Sequence, residues 1–425
     1  MYFRCLVPFL LAVLGVIAPG ISEAFSADGP TTSGETSASS PASNSIRVAT
    51  FNVSLYRKKA GQLAFDLERG DAQAEQLAKI IRQVNPDIVL LNEIDDDGGK
   101  DNGKSVRLFR DKYLHRQDSE SVSSPPLKPW DYYYSPSVNT GVDSGLDLDN
   151  NGKTGSPADC WGYGEYPGQY GLAVLSRYPI DAKKIRTFQK FLWKDMPNAL
   201  RPTNADGSSY WNDSIWSQLR LTSKTHADIP ITIHNQTLHL LVSHPTPPVF
   251  DGPEDRNGRR NNDEIRLFKD YVEWSATNST EPSYHYDDSG IKGALAKDAC
   301  FIILGDLNAD PIDGNGLHDG IQGLLDSKQV NGKIVPTSEG GVEAASLQGK
   351  QNAKHKGNSA YDTGDFNDAN PGNLRCDFAL PSANIEVASS GVFWPKREGI
   401  SSDDKKMIEA TDHRLVWVDL LLPNN

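Results

Sequence analysis

Eight short apolar segments predict strands that are spread along almost the whole chain. They cover residues 46–53, 87–93, 171–176, 215–222, 238–243, 300–304, 375–380 and 415–422. Short apolar runs bounded by turn-forming residues are typical of buried strands. Helices are predicted at 71–85, 106–114 and 263–274, where apolar residues recur at intervals of three and four. Strands separated by single helices and long loops indicate an α+β fold.

Many of the predicted strands end in a carboxylate, an amide or an imidazole. These residues are Asn52, Glu93, His244, Asp306, Asn308, Asp377, Asp412 and His413. A polar group at the end of a buried strand is held rigidly and emerges at the edge of the sheet, where a preorganised site is best built. Such groups are hard ligands, which suit Mg²⁺, Mn²⁺ or Ca²⁺ better than a soft metal.

Most of these residues also have a purely structural interpretation. The alternatives are a strand cap at Asn52, a solvated acidic run at Glu93, a loop histidine at His244, and a turn at Asp306 and Asn308. Asp377 is harder to explain in this way, because it lies inside an apolar strand and a buried carboxylate needs a partner. His413 and its neighbour Asp412 offer that partner.

Five motifs in a fixed order carry a family resemblance. They are Thr50-Phe51-Asn52, Leu91-Asn92-Glu93, Gly305-Asp306-Leu307-Asn308, Arg375-Cys376-Asp377-Phe378 and Thr411-Asp412-His413. No single motif is specific, but together they resemble the endonuclease/exonuclease/phosphatase superfamily. The resemblance implies a deoxyribonuclease-I-like, four-layer α/β/β/α sandwich, in which helices flank two mainly antiparallel sheets packed face to face. It implies one catalytic domain at 46–425, with a long loop insertion at about 95–170.

The resemblance also implies how a metal would be held. Glu93 would be the principal ligand, with Asn52 beside it, and Asp412 would support the site directly or through water. The family usually has Gln before the acidic ligand, whereas this chain has Asn92. Mg²⁺ is the expected metal, with Mn²⁺ and Ca²⁺ as the other candidates.

The remaining motif residues are implied to act on the phosphate ester. Asp306 and Asn308 would hold the attacking water and the scissile phosphate. His413, oriented by Asp377, would be a general base or a phosphate-stabilising imidazolium. His244 matches the family's second histidine, although the prolines that follow it depart from the common pattern.

The implied activity is hydrolysis of a phosphodiester or phosphomonoester by in-line attack of water. The substrate could be nucleic acid, a phospholipid head group or a small organic phosphate, and no stable protein partner is expected for what should be a monomer. The net charge of −13 disfavours tight binding to a nucleic-acid backbone, because that affinity rests mainly on cationic contacts. The alternative is a non-catalytic extracellular binding protein that retains the fold.

The N-terminal residues predict export. A positive residue, Arg4, precedes a short apolar run, and small residues allow cleavage after Ala24, so residues 1–24 are predicted to be a signal peptide. The alternative is an N-terminal membrane anchor. Residues 25–45 are rich in Ser, Thr, Gly and Pro and predict a flexible linker. The mature protein would then be secreted or periplasmic.

The cysteines and three loop segments allow further predictions. Cys160, Cys300 and Cys376 allow at most one disulfide, and buried free thiols are favoured for the latter two.

The segment beginning Asp147-Leu148-Asp149-Asn150-Asn151-Gly152 predicts either a partial Ca²⁺ loop or an Asx-rich turn, since Ala158 stands where an EF-hand has its last acid. An Arg-rich loop at 255–266 could clamp substrate or be solvated. Aromatic residues of the 95–170 insertion could stack on bases, contact lipid or pack under the loops.

Overall fold

The computed structural model describes residues 45–96, 103–116, 127–277, 281–398 and 400–423. Its strands are β1 (Ile46–Leu55), β2 (Ile88–Ile94), β3 (Tyr132–Tyr134), β4 (Leu172–Ser176), β5 (Arg186–Thr187), β6 (His226–Ile233), β7 (Gln236–Ser243), β8 (Cys300–Asp306), β9 (Gly364–Asp365), β10 (Asn373–Leu374), β11 (Asp377–Pro381), β12 (Glu386–Val392) and β13 (Val416–Leu421). Its α-helices are α1 (Gln62–Arg69), α2 (Ala72–Val84), α3 (Lys104–Phe109), α4 (Asp213–Trp216), α5 (Arg256–Glu273), α6 (His318–Leu325), α7 (Glu339–Gln348) and α8 (Ser402–Ile408). The predicted signal peptide lies outside the described residues, as does the linker apart from Ser45.

Two large sheets form the centre of the fold. The first has the strand order β12-β13-β1-β2-β4-β3, and the second has the order β11-β8-β7-β6-β5. Only β1–β2 and β7–β8 are parallel pairs within these two sheets of the described chain, so both sheets are mainly antiparallel. The short strands β9 and β10 pair with each other.

Three apolar layers show how the sheets and helices stack. One layer lies between the two sheets, where Val48 of β1 meets residues such as Leu240 of β7 and Ile302 of β8. A second packs the other face of the first sheet against α1, α2, α3 and α8, and a third packs the second sheet against α5 and α6. Three interlayer cores imply four layers, so the predicted α/β/β/α sandwich is confirmed.

Helix α2 shows how local sequence sets these elements. The Asp71 side chain accepts a hydrogen bond from the Ala74 backbone N–H at 2.8 Å, and so caps the first turn. Asn85 adopts a left-handed conformation at the end of the helix, and Pro86 follows it. The structure thus places the helix within one residue of each end of the predicted 71–85.

The strand predicted at 215–222 is wrong. Asn212 accepts a hydrogen bond from the Ile215 backbone N–H, which starts the short helix α4, and irregular chain follows. The strand that belongs here is β6, which sequence reasoning missed because it contains Asp228 and Pro230, residue types that are depleted in strands. Pro230 is tolerated because β5 is short and pairs only with Asp228 and Ala227.

The Arg-rich loop predicted at 255–266 is also wrong. Helix α5 begins at Arg256, seven residues before its predicted start, so the arginines lie on helical turns. They do not share one environment: Arg260 donates to the backbone carbonyls of Leu221 and Trp161, whereas Arg266 donates to Pro197 O.

Most of the described part of the 95–170 insertion is irregular. Helix α3 continues as a π-helical turn over Arg110–Leu114, close to the predicted helix at 106–114. Among the aromatic residues of this region, Trp130 is fully buried, whereas Tyr163 is 59% exposed. Both packing and surface roles therefore occur within the same insertion.

The three cysteines in the described chain are all free thiols. Cys160 and Cys376 are buried, and Cys300 is half-buried. The expectation of a buried free thiol is thus met at Cys376 and only partly at Cys300. None of the helices in the described ranges is long and apolar enough to cross a membrane.

Candidate active site

The alternation of side chains along the strands brings the polar strand ends together. On β1, β7 and β8, the even-numbered apolar residues face the space between the two sheets. Asn52 and Asp306 continue two of these rows, and His244 continues the third one residue beyond β7. Parallel pairing of β7 and β8 places His244 beside Asp306, while antiparallel pairing sets Asp377 directly opposite Asp306.

Glu93 reaches the same place through a distortion. Its alternation with Val89 and Leu91 would direct it to the opposite face of the sheet. The pairing of β1 with β2 shifts register after Asn52, and Glu93 has a φ of 58°, a conformation that L-residues seldom adopt. As a result, its carboxylate Oε1 lies 3.8 Å from His244 Nε2. Such strain is characteristic of functional sites.

Asp306 is the central carboxylate of this cluster. Asn52 donates a hydrogen bond from Nδ2 to Asp306 Oδ2 at 3.0 Å. The same oxygen lies 3.5 Å from Nε2 of His244 and 3.6 Å from Nε2 of His413. The inner ends of the two sheets are therefore joined by one buried polar cluster.

His413 is held from behind by Asp377. Its Nδ1 atom lies 2.8 Å from Asp377 Oδ2, which also accepts a 2.9 Å hydrogen bond from the hydroxyl of Thr363. The ring of Phe366 packs edge-on against the imidazole. These contacts fix the ring orientation and leave Nε2 directed toward Asp306.

The other two predicted residues lie at the border of the cluster. The Asn308 backbone N–H donates to Asp306 Oδ1 at 2.9 Å, and its side chain donates to Pro245 O at 3.2 Å. Asp412 has a half-exposed carboxylate, whose Oδ1 lies 3.9 Å from His413 Nε2. All eight predicted site residues thus lie at one end of the intersheet space.

Burial and neighbouring charges shift the pKa values of the site. Burial raises the pKa of Asp306 to about 7, although the proximity of His413 opposes this shift. Burial also raises the pKa of Glu93. Burial disfavours the charged form of His413, but Asp377 and Asp306 outweigh it and raise its pKa well above the ordinary value. Burial and the nearby cations Lys224 and His413 lower the pKa of His244.

The donor set suits a hard divalent cation. One oxygen or nitrogen from each of Glu93, His244 and Asp306 can be chosen so that the three atoms lie within 4.8 Å of one another. Two of the three are carboxylates whose charged form is disfavoured by burial, so a bound cation would stabilise both. The Asn52 amide contacts Asp306 through Nδ2, while its Oδ1 accepts from the Ser54 backbone N–H at 3.1 Å. The two carboxylates and the imidazole fit Mg²⁺ or a similar ion.

A second acidic group lies in the predicted Ca²⁺ loop. The carboxylates of Asp147, Asp149 and Asp159 also offer oxygens within 4.8 Å of one another. Asp147 and Asp149 accept hydrogen bonds from backbone N–H groups at Asn151 and Gly152, as in Asx turns. Asn151 is committed to this turn, because its side chain donates to Asp149. The segment therefore forms the predicted Asx-rich turn, and its carboxylates also lie close enough together to hold a cation.

Sequence reasoning missed two side chains that adjoin the site. Lys224 lies two residues before β6, and its ammonium interacts electrostatically with Glu264 and with Glu93 and Asp306 of the site. It escaped notice because the strand was predicted at 215–222 and not at β6. Thr363 supports Asp377, but no pattern around it in the sequence indicates that contact.

The sequence matches the Endonuclease/Exonuclease/phosphatase family over residues 49–413. No curated protein sequence matches it significantly. Similar solved structures include an endonuclease/exonuclease/phosphatase from Beutenbergia cavernae, with 16% identity, a TM-score of 0.44, and coverage of 90% of this chain and 72% of that one.

Two further similar structures come from other bacteria. Sphingomyelinase C from Streptomyces griseocarneus has 15% identity and a TM-score of 0.40, covering 88% of this chain and 99% of that one. A beta toxin from Staphylococcus aureus, solved with bound magnesium ions, has 14% identity, a TM-score of 0.41 and the same two coverages. On the match that spans residues 49–413, the chain belongs to the endonuclease/exonuclease/phosphatase family.

Proposed function

We propose that this chain is a metal-dependent phosphoesterase in which water attacks phosphorus in line. One observation carries the proposal: His413 lies between Asp377 and Asp306 in a buried cluster that also contains Asn52 and Glu93. A structural role alone would not require two histidines and three carboxylates in one place, because each buried ionisable group costs free energy.

The residues divide into two roles. Glu93 and Asn52, supported by Asp412, would hold Mg²⁺, which would neutralise charge on the phosphate and orient it. Asp306 and Asn308 would position the attacking water and the phosphate. With Nδ1 committed to Asp377, His413 would use Nε2 to stabilise the phosphate as the imidazolium that its raised pKa favours, or, after losing that proton, to take one from the water. His244 would donate toward the phosphate or the leaving group.

Hydrolysis of bis-(p-nitrophenyl) phosphate tests this proposal. We expect Mg²⁺-dependent turnover that a chelator abolishes, and losses of about 10²-fold or more in Glu93→Gln and His413→Ala. Asp403→Asn is the matched control, because Asp403 lies on the exposed helix α8 and pairs only with Lys406 among the described residues. Reaction in H₂¹⁸O should place the label in the phosphate product. Unchanged metal-dependent turnover in both site variants would overturn the proposal in favour of a binding protein that retains the fold.

We also propose that the protein is exported, on the basis of the predicted signal peptide at residues 1–24. Expression of the full chain beside a chain lacking these residues would test export. The full chain should accumulate outside the cytoplasm, shortened to begin after Ala24. Retention of the uncut chain in the membrane would instead support the anchor.

A further inference from the structure

A cavity of about 660 Å³ opens beside Glu93. Its volume is in the range of sites for small molecules. Three loop regions form its walls: the insertion before β4, the segment between β5 and β6, and the chain that follows β7 into α5. Because Glu93 lines both the cavity and the candidate metal site, a phosphate ester held at the site can extend one organic group into the cavity.

Cations dominate the charged lining of the cavity. They are Arg220, Lys224, Arg256 and Arg260, against the acids Glu93 and Asp149. Arg256 pairs with Glu254, whereas Arg220, Lys224 and Arg260 form no ion pair with any carboxylate of the described residues. A local positive excess is notable in a chain with a net charge of −13.

Lys224 is a cation of the cavity wall with no carboxylate at ion-pair distance among the described residues. Lys224 is only 6% exposed. Within the described chain, its ammonium makes one long hydrogen-bond contact, of 3.5 Å, to Pro245 O. Lysine is almost never buried without a partner, because its charge loses hydration. Glu264, Glu93 and Asp306 act on the ammonium only from beyond ion-pair distance, so an anionic ligand in the cavity would be the first anion in direct contact with it.

The arginines are held in place by neutral groups. Arg260 uses Nε and Nη2 to donate to three backbone carbonyls, and Arg220 donates from Nη1 to Asn139 Oδ1 at 2.6 Å. Trp161 lies under the Arg220 guanidinium at 4.8 Å. These contacts orient both guanidinium groups without neutralising them, which suits binding of a phosphate or carboxylate.

Aromatic side chains line the cavity together with the charged residues. Tyr56 and Tyr170 stand beside Glu93 with ring centroids 4.9 Å apart, and Trp193 and Trp211 lie deeper in the cavity. Phe250 lines it as well and is 88% exposed. Such rings favour contact with a flat ring on a ligand.

We propose that the cavity selects a small phosphate ester whose organic group carries a flat ring and at least one further anionic substituent, in total about the size of a nucleotide. This inference rests on the proposed phosphoesterase function. It disfavours a cationic head group such as choline, because the unpaired cations would repel it.

A matched pair of synthetic esters tests the charge requirement. Thymidine 5′-(p-nitrophenyl phosphate) is compared with its 3′-phosphorylated form, and p-nitrophenylphosphorylcholine represents the cationic class. We expect kcat/KM for the 3′-phosphorylated ester to exceed that of each of the other two by about tenfold or more, as expected for one added charge-assisted contact. Equal values, or preference for the choline ester, would overturn the inference.

Variants of Arg220 test whether this residue produces the preference for the additional negative charge. In Arg220→Gln, the ratio of kcat/KM between the two thymidine esters should fall toward one, while Arg220→Lys should retain part of it. Arg266→Gln is the control, because it also removes one cation. Arg266 lies outside the cavity lining and donates to Pro197 O. An unchanged ratio in Arg220→Gln, with the melting temperature preserved, would contradict the assignment.

Two readouts separate this inference from the proposed function. Hydrolysis of bis-(p-nitrophenyl) phosphate without any charge preference would leave the phosphoesterase standing and overturn the cavity assignment. Calorimetric binding of thymidine 3′,5′-bisphosphate, compared with thymidine, measures the cavity independently of turnover. Tight binding of the bisphosphate without hydrolysis of any ester would overturn the phosphoesterase while supporting the ligand class, and equal weak binding of both would overturn the ligand class.

Discussion

Asp377 holds His413 through a 2.8 Å contact between Oδ2 and Nδ1, across 36 residues of sequence. The carboxylate is itself held by the Thr363 hydroxyl, so the imidazole belongs to a three-residue chain of contacts. A carboxylate behind an imidazole fixes its tautomer and stabilises its charged form. The geometry makes His413 and Asp377 act as a unit.

Replacement of Asp377 by Asn should therefore lower kcat by about 10²–10³-fold with little change in KM, because the group that orients the imidazole is lost. The double variant Asp377→Asn/His413→Ala should be about as slow as His413→Ala alone, since the two residues contribute to the same step. Steady-state kinetics on all three proteins measure this. Losses that simply multiply would show that the two residues act independently.

Gly305 should be irreplaceable beside the site. A Cβ atom at this position would lie 2.0 Å from Ser243 O, and its φ of 151° is unfavourable for other residues. Gly305→Ala should cost about 1–3 kcal/mol of unfolding free energy and reduce turnover, because Asp306 and His244 are the next residues on the two strands. Gly207→Ala is the control, since Gly207 also has a positive φ but nothing lies near its Cβ position. Equal effects of the two substitutions in urea unfolding would contradict this reasoning.

Two buried histidines should each contribute a loss of stability in mild acid, in opposition to buried carboxyls such as Asp306, whose raised pKa acts in the other direction. Burial lowers the pKa of both His226 and His285 to about 4, from an ordinary value of 6.5. Below pH ~6.5 the unfolded chain gains protons that the folded chain does not accept, so the stabilisation is complete above that pH and is lost as pH falls toward 4. Each histidine should contribute roughly 3 kcal/mol to this loss. Urea unfolding between pH 4 and pH 8 measures it.

His285→Gln should flatten that pH dependence, whereas the exposed His234→Gln should not. The reason is that His285 is fully buried, with its ring nitrogens bonded to Ser283 and the Leu267 carbonyl. A profile with the same slope in wild type and His285→Gln would exclude His285 as its source.

A buried ion pair should dominate stability far from the site. Arg47 forms two hydrogen bonds with Asp419, at 2.7 and 2.8 Å, and both side chains are 1% exposed. Asp419→Leu should destabilise the fold by about 3–5 kcal/mol because it leaves a buried guanidinium without its partner. Arg47→Met/Asp419→Leu should recover a large part of that loss. Thermal unfolding of the two variants measures the difference, and a double variant that is no more stable than the single one would refute this explanation.

The sequence was most informative where strand periodicity alone determines position. Asn52 and Asp306 each continue a row of apolar residues that occupies every second position of a strand. Because such positions face the same side of a sheet, the convergence of the two residues could be predicted from the sequence. Glu93 breaks that rule, and its placement depends on a register shift and a positive φ that no local pattern reveals. Its position at a strand end made Glu93 a candidate, and its role as the principal metal ligand came from the family resemblance.

Strand β6, Lys224 and the start of α5 were missed for other reasons. Strand β6 contains residues that are unfavourable in strands, and its pairing with β7 outweighs that local tendency. Lys224 was consequently assigned to no site, although it adjoins Glu93. The start of α5 was missed because the first turns of the helix are strongly polar, so apolar periodicity is visible only from about Asp263 onward.

Strand β13, near the C-terminus, pairs with β1, and the hydroxyl of Thr411 donates to the carbonyl of Asn52 at 3.1 Å across 359 residues. The cluster therefore needs both extremes of the described chain before it can exist. A ribosome-bound polypeptide that ends before β13 lacks the strand that anchors the segment of His413 beside β1, and we expect it to be inert. Catalytic competence would then arise only after β13 has been synthesised and has paired with β1.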